Sequence, residues 1–81
     1  MISGNRAHPV PAHAHPAIHT LRAAREATGL SRQQWCAKAG VSVTTLRYWE
    51  NGWSSPRLAD LETALRAAGH RLVAVPIEEA P

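Results

Sequence analysis

Apolar residues recur at helical spacing from Ala17 to Ala68, a pattern that predicts amphipathic helices. Each apolar stretch is followed by a glycine, the residue that most readily forms a left-handed C-terminal cap. These glycines are Gly29, Gly40, Gly52 and Gly69. The pattern predicts four helices, over about residues 17–28, 32–39, 43–51 and 56–68.

Polar residues ahead of three helices predict where those helices begin. Ser31 has Gln34 three residues later, the spacing of a capping box. Ser42 is placed to cap the third helix. Ser55 precedes Pro56, and proline is favoured at the first helical position, so we expect the fourth helix to begin there.

The same spacing assigns an inward face to each helix. The inward residues are Ile18, Leu21, Arg25 and Thr28 in the first helix and Trp35, Cys36 and Ala39 in the second. They are Leu46, Trp49 and Glu50 in the third helix and Leu58, Leu61, Leu65 and Ala68 in the fourth. Together with Leu30 and Val41, these residues are predicted to fill one compact core.

The two ends of the chain follow other patterns. Residues 1–16 are rich in proline and histidine (Pro9, Pro11, Pro16, His8, His13 and His15). Because proline disfavours helix at and before its own position, we predict a disordered arm over 1–16. The helical domain then covers 17–69 and a tail covers 70–81. In that tail, 71–77 is rich in β-branched residues and predicts a strand, which Pro76 confines to an edge or ends.

Composition narrows the class of protein. A chain of 81 residues forms one small domain, which buries about 60% of its unfolded surface and disfavours a large catalytic cleft. The formal net charge is +3, and all nine lysine and arginine residues except Lys38 are arginine, which suits phosphate and base-edge recognition. A lone cysteine, Cys36, excludes an internal disulfide. Without a membrane-length apolar run or a leader-like start, we expect a cytoplasmic protein with no membrane partner.

Catalytic and metal chemistry find little support in the residues. No Ser/His/Asp set, paired carboxylates or phosphate-cradling glycine loop can be assembled. His13, His15 and His19 form a candidate metal tract, but Pro16 interrupts it and no cysteine or carboxylate lies nearby. Since Cys36 lies on an inward helix face, it is interpreted as a core residue rather than a nucleophile. We expect neither an enzyme nor a metal or other cofactor.

Only Gly40, Val41 and Ser42 separate the second and third predicted helices. A short glycine-containing turn between two brief helices is the helix-turn-helix arrangement, whose second helix enters the DNA major groove. The run Leu30-Ser-Arg-Gln-Gln-Trp-Cys-Ala-Lys-Ala-Gly-Val-Ser, followed by Leu46, Trp49-Glu50-Asn51-Gly52 and Pro56, resembles the lambda-repressor/Cro-like (XRE) helix-turn-helix family over roughly residues 18–69. The resemblance implies an all-α, four-helix, repressor-like domain.

The sequence departs from that family at a few places. Trp35 and Cys36 stand where Leu-Ala is usual, and Arg32 stands where glutamine is common. The strand-like tail replaces the usual fifth helix.

The outward face of the third helix is predicted to contact DNA bases, and the resemblance implies the same positions: Val43, Thr44, Arg47 and Tyr48. Arg47 is suited to guanine O6 and N7, and Val43 and Thr44 to thymine methyl groups. The alternative is an ordinary solvated helix face.

Phosphate contacts are expected around that face, from Arg32, Gln33, Ser42, Asn51, Trp53, Ser54 and Arg57. Arg32 lies at a helix start, where free amides also attract anions. For Trp53 the alternative is a hydrophobic lid on the core. Arg22, Arg66 and Arg71 have no such positional argument and are interpreted as surface charge.

Two charged residues fall on inward faces. Because an unpaired buried charge is costly, Arg25 and Glu50 are expected to form a structural ion pair, as the resemblance also implies. The alternative is two exposed charges at helix ends.

The apolar tail predicts a dimer. A strand needs a backbone partner, and the simplest partner is the same segment of a second copy, giving an antiparallel ribbon packed over the fourth helix. The predicted interface comprises Leu65, Leu72, Val73, Ala74, Val75 and Ile77. The alternative is a tail folded back over its own first and fourth helices.

These observations predict a transcriptional repressor that binds double-stranded DNA as a homodimer on an inverted-repeat operator. A second hypothesis is the antitoxin of a toxin–antitoxin pair, in which residues 1–16 or 70–81 bind a toxin protein. A third is a phage or plasmid control protein that represses its own operon.

Overall fold

The computed structural model describes residues 9–78, and within them the fold is all-α. It contains four helices: α1 (Pro16–Ala27), α2 (Arg32–Ala39), α3 (Val43–Glu50) and α4 (Leu58–Ala67). Residues 1–8 of the predicted arm and 79–81 of the predicted tail lie outside the described residues.

The starts of α2 and α3 are formed by the predicted caps. The Ser31 hydroxyl accepts a hydrogen bond from the Gln34 amide at 3.1 Å, and the Gln34 side chain accepts one from the Ser31 amide at 2.9 Å. This reciprocal pair is a capping box. The Ser42 hydroxyl accepts from the Thr45 amide at 3.0 Å. Gly40, at φ 76°, ends α2 in the left-handed conformation that the short turn requires.

The start of α4 differs from the prediction. The helix begins at Leu58 rather than Pro56, and its N-cap is Arg57, which makes no side-chain capping bond. Asp60, in the first turn, places a negative charge at the positive end of the helix and accepts a hydrogen bond from Arg57 Nε at 3.0 Å. Pro56 therefore lies in the preceding loop, and Leu58 faces solvent instead of the core.

One core joins the four helices. Its buried residues are Ile18, Leu21, Trp35, Cys36, Ala39, Leu46, Trp49, Leu61, Ala64 and Leu65. Leu30 and Val41 pack against it as predicted. Thr28 is the exception on α1: it is exposed at the C-cap, where its hydroxyl donates to the Arg25 carbonyl at 2.6 Å.

Residues 9–16, the described part of the predicted arm, pack against the domain. Val10 and Ala14 pack against the core, and the Ala14 amide donates to the Pro11 carbonyl at 3.0 Å, closing a turn. Pro16 is the first residue of α1, where a missing N–H costs nothing. The prolines thus shape a turn and a helix start, while the small apolar residues between them pack on the domain.

The described part of the tail, residues 70–78, contains no strand. The His70 amide donates to the Leu65 carbonyl at 2.8 Å, which holds the chain against the end of α4. Leu72 then packs on the core, and the residues after it are exposed.

Candidate nucleic-acid interface

Helix α3 separates a buried face from an exposed one. Its inward residues Leu46, Trp49 and Glu50 are all buried. On the opposite side Thr44, Arg47 and Tyr48 are exposed, so three of the residues expected to contact bases share one solvent-facing surface.

Val43 occupies a different environment from the other three. It is half-buried and packs against the core at the start of α3. Any surface that Val43 offers to a DNA base is therefore only part of its side chain.

Tyr48 and Trp53 form an aromatic pair at the end of this surface. Their ring centroids lie 5.4 Å apart and the ring planes cross at 77°, an edge-to-face arrangement. The Trp53 amide also donates to the Tyr48 carbonyl at 2.9 Å. Trp53 remains 65% exposed, so it packs on the exposed face of α3 and does not cover the core as a lid.

The loop between α3 and α4 brings together most of the expected phosphate contacts. Asn51 is the half-buried C-cap of α3, while Ser54 and Arg57 are exposed.

Gly52, in the same loop, has φ +74°, and a Cβ there would lie 2.6 Å from His13 Nε2. The left-handed backbone conformation favours glycine at this turn, whereas the close contact involves only the end of the exposed His13 side chain.

The start of α2 carries the remaining phosphate candidates. Gln33 is exposed, whereas Arg32 is half-buried, and its buried Nε has no hydrogen-bond partner within residues 9–78. The Ser42 hydroxyl donates to Thr45 Oγ1 at 2.8 Å, so a phosphate contact through this donor has to replace that bond.

A buried ion cluster ties α3 to α1. Arg25 Nε lies 3.0 Å from Glu50 Oε2, and Arg25 Nη2 lies 3.1 Å from Glu50 Oε1. Both side chains are buried. This two-bonded geometry satisfies both carboxylate oxygens of Glu50 from one guanidinium.

Arg22 also belongs to this cluster, a role that the sequence interpretation missed. Its Nη1 lies 3.4 Å from Glu50 Oε1 and its Nε lies 2.7 Å from Glu26 Oε2. The signal was present in the spacing, since Arg22 stands one turn before Arg25 and four residues before Glu26. The pKa of the Glu26 carboxyl is lowered, chiefly by the hydrogen bond from Arg22.

The arginines divide into paired and unpaired groups. Within the described part of the chain, Arg22, Arg25, Arg57 and Arg66 form ion pairs with carboxylates. Over the same residues Arg32, Arg47 and Arg71 form none. The guanidinium of Arg47, on the exposed face of α3, therefore has no carboxylate partner among the described residues.

The expected dimer residues occupy three environments. Leu65 is buried in the core of its own chain and offers almost no surface. Leu72 is half-buried on that core, while Val73, Ala74, Val75 and Ile77 are exposed. Of residues 70–78, the structure therefore brings the start of the tail onto the domain and leaves 73–78 exposed.

His15 and Cys36 both have structural roles. His15 caps α1, its Nδ1 accepting from the Ala17 amide at 2.9 Å. Among residues 9–78, no group of three or more His, Cys, Asp or Glu side chains is placed to hold a metal ion. Burial raises the pKa of the Cys36 thiol. No helix in the same range is long and apolar enough to cross a membrane.

Comparison with known proteins identifies the family. The family model described as a helix-turn-helix domain matches residues 19–73, more than half of the chain and the whole of α2, the turn and α3. No curated protein and no solved structure matches the sequence. The resemblance drawn from the turn and the residues around it is confirmed: the chain belongs to the helix-turn-helix domain family.

Proposed function

We propose that the protein is a sequence-specific transcriptional repressor that binds an inverted-repeat operator as a homodimer. The observation that carries this proposal is the exposed surface of α3, with Arg47 unpaired and Tyr48 braced by Trp53, on a helix whose other side is locked into the core. Family membership supports DNA-binding regulation, and domains of this family are typically not enzymes.

In this proposal α3 enters the major groove. Arg47 donates two hydrogen bonds to guanine O6 and N7, and the Thr44 methyl group packs on a thymine methyl. Tyr48 and the exposed part of Val43 contact neighbouring base edges. A helix held by a buried core and a buried ion pair loses little freedom on binding, which favours discrimination between bases.

Phosphate contacts flank the groove. Arg32 and Gln33 lie at the start of α2, where the helix dipole also attracts an anion. On the other side the loop after α3 supplies Asn51, Trp53, Ser54 and Arg57, and Ser42 precedes α3. These contacts set the position of the domain on DNA, and those from arginine make its affinity sensitive to salt.

The homodimer is proposed to form through the tail. Two tails related by a two-fold axis pair as antiparallel strands, which satisfies their backbone groups and covers Val73, Val75 and Ile77. A two-fold dimer also supplies the paired recognition helices that an inverted repeat requires.

Selection of bound duplexes from random-sequence DNA tests the proposal. We expect an enriched inverted repeat with half-sites about one helical turn apart. The matched control is the Arg47→Ala variant in the same selection, which should enrich a motif with one relaxed position in each half-site. Recovery of no enriched motif by the unaltered protein contradicts the repressor proposal.

The exposed tail also supports a second candidate, an antitoxin that autoregulates its operon. Val73, Val75 and Ile77 form an apolar stretch that a toxin protein could cover. Co-purification of a second protein that depends on residues 73–77 favours this candidate over a repressor that acts alone.

A further inference from the structure

A groove with a volume of about 610 Å³ runs between the N-terminal segment, α4 and the tail. Its apolar lining includes Ala14, Ile18, Trp49, Leu61 and Leu72. Ionisable groups along it are His13, His15 and Glu62. Glu62 also faces Arg66, 3.5 Å away.

Four large aliphatic side chains at and beyond this groove are exposed. Leu58 and Val73 line the groove yet are 74% and 59% exposed. Val75 and Ile77, the next branched residues along the tail, are 75% and 81% exposed. Exposed aliphatic residues that cluster beside a groove mark an interaction surface rather than isolated surface positions.

We infer that the groove receives the tail of a second copy, with Val75 and Ile77 of each protomer contacting Leu58 and Val73 of its partner. This inference rests on the proposed homodimer and states where its tails lie. A single two-fold axis fills both grooves, because each protomer carries a groove and also the tail segment that enters the groove of its partner.

Antiparallel pairing of the two tails would bring branched side chains of one copy next to the groove of the other. In a two-fold antiparallel pair one residue lies opposite its own copy, and the register that pairs most of segment 72–77 centres on Ala74 or Val75. Both registers allow Pro76, which has no N–H, to take a non-hydrogen-bonded position. Val73 then faces Val75 of the partner subunit in one register and Ile77 of the partner subunit in the other. Since Val73 lines the groove, either register brings a branched side chain to it.

Charge also favours this occupant. Segment 72–77 carries no ionisable side chain, so its insertion buries no unpaired charge. The polar residues of the lining are His13, His15, Ser54, Ser55 and Glu62, but most of the lining is apolar and the carboxylate of Glu62 repels a DNA phosphate.

Two reciprocal charge variants test the inference, with dimerisation measured by sedimentation equilibrium in the absence of DNA. Leu58→Lys and Ile77→Glu each place a charge in the groove, and we expect each to raise the dimer dissociation constant at least about 30-fold. Mixed in equal amounts, the two variants should form a heterodimer. In one of its grooves the introduced lysine meets the introduced glutamate, and the native pair of side chains fills the other. Ala23→Glu, at an exposed position of α1, is the matched control and should dimerise like the unaltered protein.

Both altered positions are exposed, so we expect each variant to keep its helices, and circular dichroism checks this. A dimer that is unaffected by Ile77→Glu, or variants that do not recover on mixing, overturns the inference without overturning a homodimer of another geometry. An unaltered protein that stays monomeric also overturns it, even if it binds DNA specifically. Loss of a co-purifying foreign protein, with no change in self-association, assigns the groove to that protein instead. Because dimerisation is measured without DNA, a protein that fails to bind an operator can still confirm the position of the tails.

Discussion

Arg25 of α1 donates hydrogen bonds at 3.0 and 3.1 Å to the carboxylate of Glu50, the last residue of α3. Both side chains are almost fully buried, and Arg22 approaches the same carboxylate at 3.4 Å. The cluster fixes the end of α3 against α1. Arg47 and Tyr48 lie within the same last turn of α3, yet their side chains remain exposed. Packing and the proposed base readout therefore depend on opposite sides of one short helix.

Removal of the Glu50 charge should destabilise the fold strongly. Glu50→Gln leaves Arg25 buried without its ionic partner, so we expect a loss of about 3–5 kcal/mol in the free energy of unfolding. Urea denaturation measures it. The control is Glu26→Gln. This carboxylate is 55% exposed, so its ion pair with Arg22 is worth at most about 1 kcal/mol. A Glu50→Gln variant with the unaltered urea midpoint contradicts the structural role of the pair.

Glu26 should titrate abnormally because of Arg22. The hydrogen bond from Arg22 lowers the pKa of the Glu26 carboxyl in the folded state. Its stabilising effect is therefore complete above the unfolded pKa and is lost as pH falls through the folded pKa. The side chain is 55% exposed, so solvent screening keeps the effect small.

Carbon-13 NMR titration of the Glu26 carboxyl checks this directly. We expect the Arg22→Met variant to return the pKa toward the ordinary glutamate value. Identical titration curves for the two proteins would show that Arg22 does not stabilise the carboxylate.

Cys36 should react slowly while the protein is folded. Burial removes the thiol from solvent and raises its pKa, and both effects lower the concentration of accessible thiolate. Iodoacetamide labelling, followed by mass spectrometry, should be much slower in buffer than in urea. Equal rates under the two conditions contradict burial of the thiol.

The central helices could be predicted from the sequence because their signals are local. Ser31 with Gln34, Ser42 and Gly40 define the starts and the turn of α2 and α3 through hydrogen bonds within four residues. The inward spacing of Leu46, Trp49 and Glu50 likewise depends only on helical periodicity.

Other features depended on tertiary context. Ser55-Pro56 carries a valid helix-start pattern, yet α4 begins at Leu58, where Asp60 provides the charge for its first turn. The packing of Val10 depends on a core assembled from distant helices. Strand pairing of the tail requires a partner outside the single chain, so a local preference for β structure is insufficient to form it.

Trp53 should matter for DNA binding more than for stability. Because Trp53 is largely exposed and meets Tyr48 edge-on, Trp53→Ala should cost about 0.5–1.5 kcal/mol of folding free energy. We expect it to weaken DNA binding, since Tyr48 loses its brace and the loop loses a contact. Trp49→Ala is the contrasting control, and loss of that buried ring should cost about 3–5 kcal/mol. A Trp53→Ala variant that unfolds as readily as Trp49→Ala assigns Trp53 to the core instead.

The most direct test of base readout by α3 is the binding of Arg47→Ala and Arg32→Ala to the selected duplex and to each of its single-base variants. Arg47→Ala should cost about 1–3 kcal/mol on the preferred duplex and abolish discrimination at one position in each half-site. Arg32→Ala should weaken binding to all duplexes similarly and reduce the salt dependence of affinity. If Arg47→Ala instead weakens every duplex equally, or leaves discrimination unchanged at all positions, α3 does not read bases through Arg47.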